Sequence, residues 1–368
     1  MDLLDKKTYE IMHINKIVAQ IDFVGRSKIY YPEFMPYNLY LEEEEDIETL
    51  VNNVTNFNYW CATRVLTLDR KYAKEILNSI GMKQAVTDKD RSKIALSYRC
   101  ASLTDVFWVR EKGEDITFEE VNLYENHLSD IFIDIALKGK QYIVDSTSLA
   151  RDLSTNGCFP KAWKRTDNGF ILLKDGDRDS VERELLASKI CQCFDVFQVI
   201  YEAGYFDGEK VTMSKNFTSK EYSIVSMEAL EIYLENNDIK AKDYILKIDS
   251  YNYYMMNIID YLVGNTDRHW GNWGVLVDNR NNKPICLYKL MDFNQSFKSY
   301  DDLDGANCQT TFGVKMTQKE AGLEAVSKIG INQIKPIDER FFSELPEYYE
   351  MFKKRMDILL NNISRPRA

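Results

Sequence analysis

The stretch Gly264-Asn265-Thr266-Asp267-Arg268-His269-Trp270-Gly271-Asn272 decides how this chain is read. Two amides, an aspartate, an arginine and a histidine lie between two segments of regular pattern. Upstream, residues 251–263 read as a helix that buries Ile258, Ile259, Leu262 and Val263, and Gly264 is the residue type that most often ends one. Downstream, residues 273–277 and 284–290 read as two strands joined by the polar turn 278–283. An antiparallel hairpin returns its outer ends to one another. Asp292, twenty residues after Asn272, is therefore expected beside it. An amide and a carboxylate at one end of a sheet suit a hard cation that prefers oxygen ligands.

Further upstream, from about residue 146, the pattern is sheet first and helix later. Residues 161–165 and 170–174 form two strands joined by Thr166-Asp167-Asn168-Gly169, and Asn-Gly is a strong hairpin turn. Asp179 is expected to cap a helix reaching Cys193, and further strands follow at 196–201, 210–214 and 222–227. From Glu228 onward helices dominate, interrupted by the hairpin at 273–291. A small sheet with one helix, followed by a helical half, is a two-lobed plan, and a cleft between lobes is where a ligand is expected. Alternation along 170–174 puts Lys174 on the face of Phe170 and Leu172, where a lysine needs an anionic partner. On the following helix, Glu184 has Val181, Ala187, Ser188 and Cys191 at helical spacing, which leaves room for an inward-pointing acid. Glu182 faces Leu186 and Lys189 instead, so Glu184 is the expected partner of Lys174; both acids also suit the positive end of the helix.

Residues 1–145 carry mixed signals. Residues 69–80 read as a helix with Asp69 as its cap and Gly81 as its stop, and residues 101–111 have strand-like aromatic content. Thr117 and Glu120 form a capping box that opens a second helix with Val121, Leu123 and Tyr124. The acidic run from Glu42 to Asp46 caps or fronts a helix, or lies in a solvated loop.

Composition narrows the function classes. The 368 residues allow two or three domains at about 150 residues each. A hydrophobic content of 45%, with 23 Tyr and 18 Phe, excludes wholesale disorder. No apolar run approaches the roughly 18 residues of a membrane span, and the start MDLLDKKTYEIM lacks the apolar core of a secretory signal, so a soluble, cytoplasmic protein is expected. A net charge of −11 argues against direct nucleic-acid binding. Seven cysteines without a repeated spacing, and three histidines, are too few ligands in the wrong places for structural zinc. Neither G-x-x-x-x-G-K-[ST] nor the G-x-G-x-x-G phosphate loop is present.

Taken in order, the motifs resemble those of the HipA-like serine/threonine kinases, with a looser likeness to phosphatidylinositol kinases. GNTDRHWGN at 264–272 has the Asp-to-Asn spacing of a kinase catalytic loop, and LMDF at 290–293 resembles the kinase metal motif. Ser154-Thr-Asn-Gly-Cys-Phe-Pro-Lys161 looks like that family's S-x-x-G-x-x-x-K phosphate loop. Phe170-Ile-Leu-Leu-Lys174 looks like its lysine strand, and Glu184-Leu-Leu-Ala like the start of the next helix. The likeness covers about residues 146–300, with a weaker echo in ASLTDVFWV at 101–109.

The resemblance implies an α+β, bilobal protein-kinase-like fold. Residues 146–227 would form a small β-rich lobe with one helix, 228–368 a larger, mostly helical lobe, and 1–145 an accessory α/β region. It implies ATP- and Mg2+-dependent transfer of a phosphoryl group to a serine or threonine hydroxyl of a protein. Asp267 would orient that hydroxyl, Asn272 and Asp292 would hold the metal, and Lys174 paired with Glu184 would position the phosphates. Ser154 and Gly157 would line the phosphate loop, and Lys161 would add a second positive charge or be solvated. Val225 to Met227 would bind adenine through their backbone if 222–227 links the lobes, or form a plain edge strand otherwise. His269 would contact phosphate or brace the loop.

Two features depart from the pattern: Asn294 replaces the usual glycine after Asp292-Phe293, and Pro160 removes a backbone donor from the phosphate loop. The family serine matching Ser154 is an autophosphorylation site, and a phosphate there would oppose those of incoming ATP. Some members are toxins held by DNA-binding antitoxins, which implies an antitoxin-type partner. Three rival readings stand beside this one. The first is a lipid kinase, although the acidic balance and the lack of a basic amphipathic helix argue against a membrane substrate. The second is a nucleotide-binding pseudokinase. The third is an interaction protein that works through residues 1–145, with Trp60, Phe107 and Trp108 as anchors.

Overall fold

The computed structural model describes residues 7–65, 87–125, 161–167 and 169–363. The helix expected at 69–80, Asn168 of the hairpin turn, and Ser154 and Gly157 of the phosphate loop lie outside the described residues. The chain divides into two compact units. The first comprises Met1–Lys174, Asn216–Ile224 and Val277–Lys283, and the second Asp175–Lys215, Val225–Leu276 and Pro284–Ala368.

In the first unit, β1 (Thr8–His13), β2 (Lys16–Asp22), β3 (Ser27–Ile29) and, further along the chain, β4 (Phe107–Glu111) form an antiparallel sheet of order β3-β2-β1-β4. One face carries Met12 and Trp108 into a cluster with Val106, Phe118 and Val121, and the Trp108 indole donates to the Ile14 carbonyl at 2.7 Å. The acidic run ends as a cap: Asp46 accepts the Thr49 N–H at 3.0 Å and starts α1 (Ile47–Thr63). α1 packs against α2 (Asp88–Ser97). Thr117 and Glu120 form the expected capping box, yet the helix it opens, α3 (Phe118–Val121), ends before Leu123 and Tyr124. Asn122 turns extended at ψ 141° and its side chain bonds the Phe118 carbonyl, which stops the helix. Trp60, Phe107 and Trp108 are buried in the core, so they are not available as surface anchors. The hairpin of β5 (Lys161–Thr166) and β6 (Gly169–Lys174) forms where expected, with Lys161 directly opposite Lys174.

The second unit begins with α4 (Arg178–Cys191). Its cap is Asp177 rather than Asp179: Asp177 has the extended backbone a cap needs (φ −65°, ψ 159°) and accepts the Ser180 N–H at 2.7 Å. β7 (Glu202–Phe206) and β8 (Glu209–Lys215) pair across Asp207-Gly208, both at positive φ. Residues 196–201 are not the expected strand. They make one isolated bridge, Gln198 to Leu290, and the Tyr201 N–H donates to the Ser188 hydroxyl.

β9 (Tyr222–Ser226) runs into α5 (Met227–Asn236), and α6 (Ala241–Val263) follows, kinked at Asp249. Its second half is the helix expected at 251–263, and Gly264 ends it in the left-handed conformation at φ 59°. A Cβ at Gly264 would lie 2.6 Å from the Tyr300 ring, so glycine is required on steric grounds as well. The expected hairpin follows as β10 (Gly274–Asp278) and β11 (Lys283–Leu287), in a three-stranded sheet of order β11-β10-β9. α7 (Gln318–Ile329) packs on α6, and α8 (Tyr349–Ile363) is pinned by the buried Arg355, which donates to the carbonyls of Tyr261 (2.7 Å) and Asp302 (2.6 Å). Antiparallel sheets interspersed with helices make this a mixed α+β chain, as expected.

Candidate active site

The loop 264–272 and the residues around Asp292 meet within the second unit on a buried arginine. Arg268, which is 2% exposed, lies behind the loop and forms a two-pronged ion pair with Asp260 of α6 (2.8 and 3.0 Å). Its remaining nitrogen donates to the Asn272 carbonyl at 3.0 Å and to the Met291 carbonyl. One guanidinium thus ties the start of the β10–β11 hairpin to the residue before Asp292, as the return of an antiparallel hairpin requires. Burial works against the arginine's charge, but Asp260 first and Asp292 further off outweigh it, and the Arg268 pKa is raised.

Asn265 supplies a second tie. Its Oδ1 accepts the Asp267 N–H at 3.2 Å, while its Nδ2 donates to the Asp292 carbonyl at 3.3 Å and to Asp260 at 3.3 Å. Gln318 of α7 holds the Asn265 carbonyl. The Asn272 amide nitrogen donates to the Asp267 carbonyl at 2.8 Å, which leaves its oxygen as the end with ligand character. Asp267, Asn272 and Asp292 are all partly exposed above this buried frame.

Asp292 sits at φ 60°, a left-handed conformation that costs a residue with a Cβ about 1–2 kcal/mol. Bonds on both sides hold it there. Its N–H donates to the Tyr201 hydroxyl at 3.0 Å, and the Phe293 N–H reaches Glu184 at 3.4 Å. Phe293 is fully buried, its ring 5.4 Å from the Arg268 guanidinium.

Glu184 is 1% exposed and also accepts the Thr212 hydroxyl at 2.7 Å, whereas Glu182 pairs with Lys210. Both acids are buried and bond side chains of β8, so Glu182 meets Lys210 there rather than the expected Leu186 and Lys189. His269 is largely exposed: its Nδ1 accepts the Gly271 N–H at 3.1 Å, and its Nε2 lies 3.9 Å from Asp267. The ring thus bonds the backbone of its own loop.

Lys161 and Lys174 face each other across β5 and β6 in the first unit, with Lys174 buried. Val225 is the penultimate residue of β9, and its carbonyl lies so close to Gly274 that a Cβ there would be 2.1 Å away. The Met227 N–H donates to the Trp273 carbonyl at 2.8 Å, so that donor is already engaged by the protein.

The donor set fits magnesium in kind. Among the described residues no three or more His, Cys, Asp or Glu side chains cluster as metal ligands. One amide oxygen and one carboxylate are the sparse set that Mg2+ takes when phosphate oxygens and water complete its octahedron. The sequence alone assigns no role to Asp260, Asn265, Arg268 or Tyr201. Asp260 alone carried a signal there: an acid amid the apolar run of a buried helix needs a cationic partner.

No family model matches the chain, and no curated protein matches it. Solved structures do. A HipA from Shewanella oneidensis MR-1, solved with HipB and operator DNA, is 12% identical over 98% of this chain and 92% of its own, with a TM-score of 0.53. The Helicobacter pylori proinflammatory kinase CtkA is 18% identical over 55% of this chain and 90% of its own, with a TM-score of 0.39. The fold is therefore that of the HipA-like kinases, as the motifs implied.

Proposed function

We propose that the chain is a phosphotransferase that moves the terminal phosphoryl group of ATP to a serine or threonine hydroxyl of a protein. The observation that carries this reading is the joining of Asn272 and the Asp292 segment on Arg268, with Asp267 hydrogen-bonded to both Asn265 and Asn272. Asp267, half-exposed, accepts a hydrogen bond from the acceptor hydroxyl, aims its oxygen at the phosphorus and takes its proton as the bond forms. Asn272 and Asp292 hold Mg2+, which when bound neutralises charge on the phosphate oxygens.

Lys174 and Lys161 receive the phosphates. The two lysines are directly opposite in the β5–β6 register, and two ammonium groups on neighbouring strands suit the several charges of a triphosphate. In this proposal Glu184 pairs with Lys174, Val225 offers its backbone to adenine, and Ser154 and Gly157 belong to the phosphate loop, Ser154 being an autophosphorylation site. The two-lobed arrangement belongs to the same proposal, with residues 146–227 and 228–368 as lobes and 1–145 as an accessory region. So do a cytoplasmic location and, from the HipB in the HipA structure, an antitoxin-type partner.

The test is incubation of the full chain with labelled ATP, Mg2+ and a mixed protein substrate. Wild type should transfer label, and Asp267→Ala and Asp292→Ala should each lose at least about a hundredfold in rate, the scale of one general base or charge-stabilising group. Retained transfer in both variants overturns the assignment. Stabilisation of the wild type by Mg·ATP with no transfer at all would favour a nucleotide-binding module over a kinase.

A further inference from the structure

Asp292 keeps its left-handed backbone through hydrogen bonds to side chains far off in sequence, and one of these has no other evident task in the chemistry. Tyr201 follows the irregular segment 196–200, which forms no strand, and is 9% exposed. Its backbone N–H donates to the Ser188 hydroxyl at 3.0 Å, and its phenol oxygen accepts the Asp292 N–H at 3.0 Å. Ser188 and Glu184 are four residues apart on α4, hence on one face, and Glu184 reaches the Phe293 N–H. Two consecutive backbone N–H groups, those of Asp292 and Phe293, are thus held by acceptors anchored to a single helix face.

We propose that Tyr201 is a positioning residue: its phenol oxygen fixes the backbone of Asp292 so that the carboxylate points where a divalent cation is held. This rests on the phosphotransferase reading, because it assigns Asp292 to metal. Without that bond the Asp292 N–H loses its acceptor, the left-handed conformation loses a restraint on its N-terminal side, and the carboxylate samples directions that do not bind. Tyr201 acts only through Asp292, so its removal weakens cation binding without removing a ligand.

Tyr201→Phe deletes one oxygen and keeps the buried ring. Three readouts on the full chain test the proposal, with Tyr205→Phe, on a side chain 74% exposed, as control. First, hydrogen exchange of a peptide spanning Asp292 should quicken in Tyr201→Phe while the thermal midpoint without ligand stays near that of wild type. Second, the Mg2+ concentration giving half of the thermal stabilisation by a fixed excess of ATP should rise about threefold to tenfold, the equivalent of one neutral hydrogen bond. Third, the half-saturating Mg2+ for phosphate transfer should rise by the same factor, and more than the saturated rate falls.

Unchanged exchange at Asp292 with an unchanged Mg2+ requirement overturns the positioning role and leaves the kinase reading standing. Faster exchange with an unchanged Mg2+ requirement makes the bond merely structural and also overturns it. A wild type that neither transfers phosphate nor is stabilised by Mg·ATP overturns the kinase reading, and with it any metal role for Tyr201.

Discussion

A buried ionisable side chain is tolerated only when its surroundings decide its charge, and this protein uses both solutions. Arg268 stays charged because Asp260 meets it with two hydrogen bonds while two backbone carbonyls take its remaining donor. His13 takes the other course. It is 3% exposed, between the rings of Phe34 and Phe107, each 5.1 Å away, and its Nε2 has no hydrogen-bond partner among the described residues. Burial lowers its pKa from 6.5 to about 4, with Asp105 opposing that shift and Lys16 adding to it. The unfolded chain therefore binds a proton near pH 6.5 that the folded chain refuses until about pH 4. Between those values the unfolded state holds more protons, so stability falls as pH drops. For the stated shift the loss attributable to His13 is about 2 kcal/mol at pH 5 relative to pH 7.5. Replacing His13 by Leu should flatten the pH dependence of the urea-unfolding free energy by that amount, whatever it does to stability at pH 7.5. A slope identical to wild type would show that His13 binds its proton equally well in the folded and unfolded chain.

At the scale of elements, what could be read in the sequence is what neighbouring residues settle among themselves. The hairpin at 161–174, the Thr117–Glu120 box and the stop at Gly264 follow from local dihedral chemistry. The proximity of Asn272 and Asp292 follows from hairpin geometry alone. What could not be read depends on partners remote in sequence. Tyr201 and Asp292 are 91 residues apart and Glu184 and Phe293 are 109 apart, and no spacing announces such pairs. The apolar run 196–201 reads as a strand, yet the Tyr201 N–H goes to a serine hydroxyl rather than to a strand, and only Gln198 makes a bridge. The opening strands β1 and β2 lack the alternation that announces a strand, because β1 buries Glu10 and His13 beside Ile11 and Met12.

The start of α6 shows how such a misreading arises. The helix was expected from residue 251, and the structure extends it to Ala241, across a break at Asp249 (φ −159°, ψ 77°). Asp249 acts there as an internal cap: its carboxylate accepts the Asn252 N–H at 3.0 Å, the Asn252 amide at 2.8 Å and the Leu287 N–H of β11 at 3.1 Å. The helix that ends in the 264–272 loop thus has its own N-terminus, tied to the hairpin that follows the loop. Asp249→Ala should destabilise the protein by about 1–2 kcal/mol, the upper range for losing a cap, and Asp249→Asn by less. Urea unfolding measures both. Equal and negligible effects would mean that the break is a passive bend.

At the scale of the molecule, the first unit is not a contiguous piece of chain. Its principal segment stops at Lys174, but the unit also takes Asn216–Ile224 and Val277–Lys283. Those two short segments satisfy backbone groups of the long one. Asn282 donates to the carbonyls of Glu33 (3.1 Å) and Met35 (3.0 Å), and its own carbonyl accepts the Tyr37 hydroxyl at 2.8 Å. Thr218 donates to the Leu103 carbonyl, the Ile224 N–H to Thr104 at 2.9 Å, and the Asn216 N–H to Phe170 at 2.8 Å. A fragment ending at residue 174 would leave these groups without their partners, each loss costing about 1 kcal/mol or more where water does not take its place. Against a typical margin of about 5–15 kcal/mol for a whole domain, several such losses together remove cooperative folding. Residues 1–174 expressed alone should show a broad thermal transition and bind a hydrophobic dye, whereas the full chain should melt sharply. A fragment with a sharp transition at the full-length midpoint would mean that the returning segments decorate a unit already complete. Should the broad transition be found, the unit is finished only once residue 283 has been made, which lies beyond both Asp267 and Asn272. The loop proposed for catalysis would then be synthesised before the accessory part of the chain can fold, so a destabilising change in the first unit should reduce the yield of active protein even where the loop is untouched.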